Sequence, residues 1–183
     1  RFRNAMTLPR DLSLKHNGKH LFLASSPSPE VYAARVSSRT VDASLRNGRI
    51  SVPEILPDND GAYEIDFTVA PGKSPLSLRL YNGKGEEMLF TFDFKALTLT
   101  LDRSRSGVVD FHKDFAKKDI LTHLVKRPEY KVQLFVDRHS TEMFIGDGDV
   151  CFTNCMYPTE VYNALELAGA DAGISDLTIF NLK

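Results

Sequence analysis

The stretch LFVDRHSTEMFIGDG, Leu134 to Gly148, holds two carboxylates, Asp137 and Glu142, with Arg138 and His139 between them. Two carboxylates at a suitable separation can divide acid and base roles between them. The same residues also suit a polar turn that closes two strands. If KVQLFVD and TEMFIG pair across a tight turn over Arg138 to Thr141, Val136 faces Met143 and Leu134 faces Ile145 on one side. On the other side Phe135 faces Phe144, and Asp137 faces Glu142. One register satisfies both faces, which supports a hairpin. It also sets like charges opposite each other, so Arg138 or His139 must bridge them. The bridged polar turn is the favoured reading, because carboxylates at sheet ends are usually structural or exposed.

Other chemistry finds less support. His16, His20, His112, His123 and His139 are scattered, and none stands in a nucleophile or metal-ligand pattern. YNGKGEE is glycine-rich but links two strands, so it offers no helix N-terminus to a phosphate. Cys151 and Cys155 lie four residues apart on one face of a strand, roughly 13 Å at strand rise, beyond disulfide reach. They are expected to be free thiols, and with no histidine at ligand spacing they do not suggest zinc. A sugar platform of exposed rings would have to use tyrosines such as Tyr81, Tyr130, Tyr157 or Tyr162, since the chain has no Trp. A tyrosine near a strand end is more often a core-edge residue. No metal, no cofactor and no catalytic residue is expected in this chain.

The elements that position these residues are strands. The chain has 183 residues, the size of one domain with its own core. Apolar residues alternate in AYEIDFTV, LSLRLY, EMLFTFDF and LTLTLD, the pattern of half-buried antiparallel strands. Asn17-Gly18, Asn47-Gly48, Asn82-Gly83, Asp60-Gly61 and Asp147-Gly148 punctuate them as tight turns. One short helix is expected over Asp114–Lys126, stopped by Pro128, and SSPSPE, Ser25 to Glu30, reads as a rigid extended link. The fold class is all-β, a two-sheet antiparallel sandwich. A net charge of −1, with both signs mixed along the chain, gives no general attraction for nucleic acid or an anionic membrane. No apolar run approaches a bilayer span and no signal peptide opens the chain, which reads as an excised piece of something longer.

Two segments resemble one family specifically. MTLPRDLSL, Met6 to Leu14, resembles the signature that opens the C-terminal sandwich of glycoside hydrolase family 32, and Leu134 to Pro158 resembles its late strand motif. SPSPEV, Ser26 to Val31, resembles the Pro-x-x-Glu segment between them. His139 stands where Ser is usual, and Gly146 where Asn precedes Asp-Gly. The resemblance implies a concanavalin-like sandwich attached to an N-terminal five-bladed catalytic propeller. The propeller's nucleophile, stabiliser and acid motifs are absent here, so no catalytic residue is carried over.

The resemblance thus implies a non-catalytic accessory domain, residues 11–183, of a retaining β-fructofuranosidase or levanase. Residues 1–10 form the joint to the propeller, with Met6, Thr7, Leu8, Pro9 and Arg10 at the domain interface. Fructan is a second candidate partner, should the sandwich act as a lectin-like capture module. A levanase parent implies an extracytoplasmic location, and a sucrose-phosphate hydrolase a cytoplasmic one.

Overall fold

The computed structural model describes residues 6–183. In chain order its strands are β1 (Arg10–His16), β2 (Leu21–Pro27), β3 (Arg35–Thr40), β4 (Arg49–Val52), β5 (Tyr63–Ala70), β6 (Leu76–Tyr81) and β7 (Glu87–Asp93). There follow β8 (Thr98–Asp102), β9 (Ile120–His123), β10 (Tyr130–Val136), β11 (Ser140–Ile145), β12 (Val150–Cys155), β13 (Ala164–Ala168) and β14 (Gly173–Leu182). Two six-stranded sheets result, in the orders β12-β11-β10-β5-β14-β3 and β4-β13-β6-β7-β8-β9, and β1 and β2 form a separate hairpin. All strand pairs are antiparallel.

Period-two alternation builds the layer between the sheets. Ile65, Phe67, Leu134, Met143 and Ile179 from the first sheet meet Leu78, Leu80, Phe90, Phe92 and Leu165 from the second, all buried in one cluster. Rings lock the layers: Phe90 meets Phe152 edge-on at 6.5 Å, and Phe94 stacks on Tyr130 at 5.4 Å. This is the antiparallel sandwich that the alternation implies.

Three local expectations are corrected. The Leu134–Gly148 hairpin pairs Leu134 with Met143 and Phe135 with Glu142, two residues from the expected register. The cause is a shorter connection. Asp137 N–H donates to Ser140 O at 2.9 Å, so Arg138 and His139 alone span the turn, with Arg138 held to Asp60 O at 2.7 Å. A displacement of two preserves the faces, and Leu134, Val136, Met143 and Ile145 all lie in the core.

The helix over Asp114–Lys126 is not formed. Phe115 packs its ring on Phe111 and Tyr157, while Arg103 takes the Phe115 carbonyl at 2.9 Å and lies over its ring. Ile120–His123 then pairs with β8 instead of coiling. Tertiary partners thus outweigh a weak helical pattern. The one helical element among the described residues is a 3-10 turn at Pro29–Ala34, with Pro in its first turn. Ser25–Glu30 is therefore not one extended link: its first half belongs to β2 and its end opens this turn.

Leu134→Ala should lower unfolding free energy by about 2–5 kcal/mol, because it opens a cavity at the centre of the layer. Denaturant midpoints check this, with Asp137→Asn, an exposed turn residue, moving stability by less than about 0.5 kcal/mol.

Candidate functional site

Glu142 and Asp137 do not form a pair. Asp137 is exposed and its carboxylate accepts the Arg138 N–H at 2.7 Å. Glu142 is buried on the outer face of the first sheet and reaches the N-terminal segment. Its Oε1 accepts the Leu8 N–H at 2.7 Å, and its Oε2 forms an ion pair with Arg10, which also donates to Thr153 at 2.8 Å. Leu8 packs beside Val31, Phe135 and Phe144, and the Arg10 guanidinium lies over the Phe144 ring. The carboxylate singled out as a candidate acid thus serves as a clamp on the segment Leu8–Arg10.

A second clamp holds the hairpin that follows. The Asp149 carboxylate is buried between Lys15, at 3.1 Å, and Arg127, at 2.5 Å. Lys15 also donates to Asp147 O, and Ser25 N–H donates to Gly148 O at 2.9 Å. Gly148 has φ +86°, and a Cβ there would lie 2.4 Å from Ser26 Oγ and 2.6 Å from Ser25 O. The glycine serves the turn and also lets β2 press on it.

These anchors use one face of the hairpin. On the other face Leu14 pairs with Leu23, while Leu12 lies opposite Ser25 and Leu21 opposite His16. The four leucines are 61–68% exposed. A two-stranded ribbon with a leucine face open to water and polar anchors beneath departs from the inside-out rule.

A charge cluster lies nearer the middle of the same sheet. Arg35 donates to both oxygens of the fully buried Glu64, at 2.6 and 2.5 Å, and to Asp66 at 3.2 Å. It is stacked between Tyr32 and Phe180. Burial pushes the Asp66 carboxyl up to about 7, and the neighbouring Glu64 adds to this against the pull of Arg35.

The remaining candidates stay apart. Met6 is almost fully exposed, Thr7 and Pro9 are exposed, and Leu8 and Arg10 are half-buried against the sandwich itself. His16 and His20 flank the β1–β2 turn, His112 accepts the Asp114 N–H, and His139 sits 5.9 Å from the Tyr157 ring. Cys151 and Cys155 are free on β12. Tyr130 and Tyr162 are buried, which removes both as sugar platforms, and Tyr81 stacks on Arg79. No group of three or more His, Cys, Asp or Glu among the described residues could hold a metal ion. Sequence reasoning missed Arg35, Glu64 and Asp66, which no local pattern joins. It also missed the leucine face, although LSLKHNGKHLFL displays alternating leucines on both sides of an Asn-Gly turn.

The sheet orders and the clamped N-terminal hairpin define an antiparallel two-sheet sandwich. The family model described as glycosyl hydrolases family 32 C terminal matches residues 30–181, and the chain belongs to that family. It is 29% identical over its full length to the levanase of Bacillus subtilis, covering 28% of that protein. It is 26% identical to the sucrose-6-phosphate hydrolase of Streptococcus mutans, over 87% of this chain and 29% of that protein. The exo-inulinase of Aspergillus awamori shares its fold with a TM-score of 0.79 at 24% identity, covering all of this chain and 36% of that one. The chain therefore spans about a third or less of the length of these relatives.

Glu142→Gln should weaken the clamp by about 1.5–3 kcal/mol, the range for hydrogen bonds to a charged group. Trypsin should then cut after Arg10 well before the core unfolds; unchanged cleavage kinetics would remove Glu142 from this role. Asp66 gives a pH dependence. Its folded pKa lies above the ordinary 3.8, so the folded state holds the extra proton between about pH 4 and 7. The stability it contributes is full below about pH 4 and is lost as pH rises through about 7. Asp66→Asn should flatten the melting temperature between about pH 4 and 7, and a parallel pH profile in both proteins would contradict this.

Proposed function

We propose that this chain is a non-catalytic accessory domain of a fructan- or sucrose-cleaving β-fructosidase, and that it stabilises the catalytic domain N-terminal to it in the same polypeptide. The observation that carries the reading is the leucine face of the β1–β2 hairpin, exposed and yet rigidly anchored from beneath by Lys15–Asp149 and Ser25–Gly148. Such a face is built to be covered. A domain preceding Met6 would enter at the Glu142 clamp, directly beside it. Residues 1–10 act as the joint, but Leu8 and Arg10 grip the sandwich, so Leu12, Leu14, Leu21 and Leu23 supply the apolar contact. The relatives' names, levanase and sucrose-6-phosphate hydrolase, support a β-fructosidase parent, and family membership supports the C-terminal position. The parent's substrate is set by the catalytic domain.

The test is made in the full-length parent. Leu14→Asp with Leu23→Asp should lower its thermal midpoint by several degrees, consistent with loss of at least about 2 kcal/mol from central contact residues. Proteolysis between the domains should accelerate, while the sandwich itself stays folded because these side chains lie outside its core. An unchanged midpoint and unchanged inter-domain cleavage would sink the scaffold reading.

A further inference from the structure

Three Asn-Gly pairs punctuate this chain, and each has a different setting. Asn17-Gly18 lies in the β1–β2 turn, with both residues exposed. A Cβ built on Gly18, whose φ is +92°, would meet nothing within 4 Å. Asn47-Gly48 lies just before β4, with Asn47 exposed at φ +55°. Asn82-Gly83 lies between β6 and β7, and Asn82 is buried.

Such a pair carries a latent reaction. The glycine nitrogen can attack the asparagine Cγ, because no side chain on the glycine obstructs the approach. The attack needs a base for the nitrogen's proton and a place for the negative charge that gathers on Oδ1. The β1–β2 turn holds both. His16 Nδ1 accepts the Gly18 N–H at 3.1 Å, so an imidazole nitrogen already faces the proton that must leave. Asn17 Oδ1 accepts the Lys19 N–H at 3.1 Å and the His20 N–H at 2.9 Å. Two backbone donors on one oxygen fix the orientation of the amide, polarise its carbonyl and stand ready for an oxyanion.

The other two pairs lack parts of this set. Asn82 Oδ1 also accepts two backbone N–H groups, from Lys84 at 3.0 Å and Glu86 at 3.2 Å. Its Nδ2, however, is tied to Glu86 Oε2 at 2.6 Å and to Glu160 O at 2.8 Å, which restrains the group that must depart. Among the described residues, no histidine accepts the N–H of Gly48 or Gly83.

We infer that Asn17-Gly18 is a self-modifying site, at which the turn deamidates its own asparagine through a succinimide with His16 as the base. Gly18 N passes its proton to His16 Nδ1 and bonds to Asn17 Cγ. The bond from Cγ to Nδ2 then breaks, and Nδ2 takes the proton from His16 and leaves as ammonia. Water opens the ring at either carbonyl and leaves aspartate or isoaspartate at position 17. The net change is one water consumed, one ammonia released and one negative charge gained. Isoaspartate also adds a methylene to the main chain where β1 turns into β2, which loosens the register that sets Leu14 opposite Leu23. The inference holds whatever the parent protein hydrolyses.

The experiment follows the side-chain amide signals of Asn17, Asn47 and Asn82 by NMR in isotope-labelled chain held at neutral pH and physiological temperature. The Asn17 signal should vanish at least about tenfold faster than that of Asn82, and faster than that of Asn47. It should also vanish faster in the folded chain than in urea, where the turn is lost. His16→Gln keeps an acceptor but removes the base, and should slow Asn17 by at least about tenfold. Asn47 in the same sample is the control and should keep its rate. An Asn17 rate no higher in the folded chain than in urea, or one undiminished by His16→Gln, overturns the inference. So does a variant that slows Asn47 equally, because the effect would then not pass through His16.

Discussion

One buried carboxylate decides how the beginning of this chain lies on the rest. Glu142 sits on the outer face of the first sheet, where an unmatched charge would be costly. The two groups that match it, the Leu8 amide and the Arg10 guanidinium, come from more than 130 residues away in sequence. That closure orients everything after it. β1 leaves the clamp in a fixed direction, Lys15 arrives over Asp149, and β2 returns across Gly148. With its polar underside fixed at both ends, the hairpin presents its leucines outward. The same closure covers Phe135 and Phe144 on the sheet's outer face.

The legibility of the fold follows from how local its causes are. Strands β5 to β8 were readable because their alternation is strict and Pro-Gly, Asn-Gly or Asp residues mark the connections between them. The β10–β11 hairpin was readable in its faces but not its register, since a displacement of two leaves the apolar pattern unchanged. The shorter turn is held by Arg138, bonded to Asp60 O in a distant loop, and by the β11–β12 pairing, neither of which lies in the hairpin's own pattern. The helix at Asp114–Lys126 was misread because Phe115 answers to Tyr157 and Arg103, which no window around it contains.

The candidate site shows the same division. MTLPRDLSL and the Leu134–Pro158 motif could each be recognised alone, and their physical link is Glu142 bonding Leu8 and Arg10. Period two marks Leu12, Leu14, Leu21 and Leu23 as sharing a face, but it does not say whether that face looks inward or out. Arg35, Glu64 and Asp66 come from strands that neighbour only through β14 and leave no local trace. Sequence similarity extends to relatives named for different activities, levanase and sucrose-6-phosphate hydrolase among them.

The central claim is that the clamped hairpin is rigid by itself and covered in the parent. Amide hydrogen exchange reads both parts at once, residue by residue, in this chain and in the full-length protein. A slow Leu8 amide is expected in both, because Glu142 holds it, and slower exchange across Leu12–Leu23 only when the N-terminal domain is present. A Leu8 amide that exchanges at the rate of an open chain, or a hairpin equally exposed in both proteins, would contradict it.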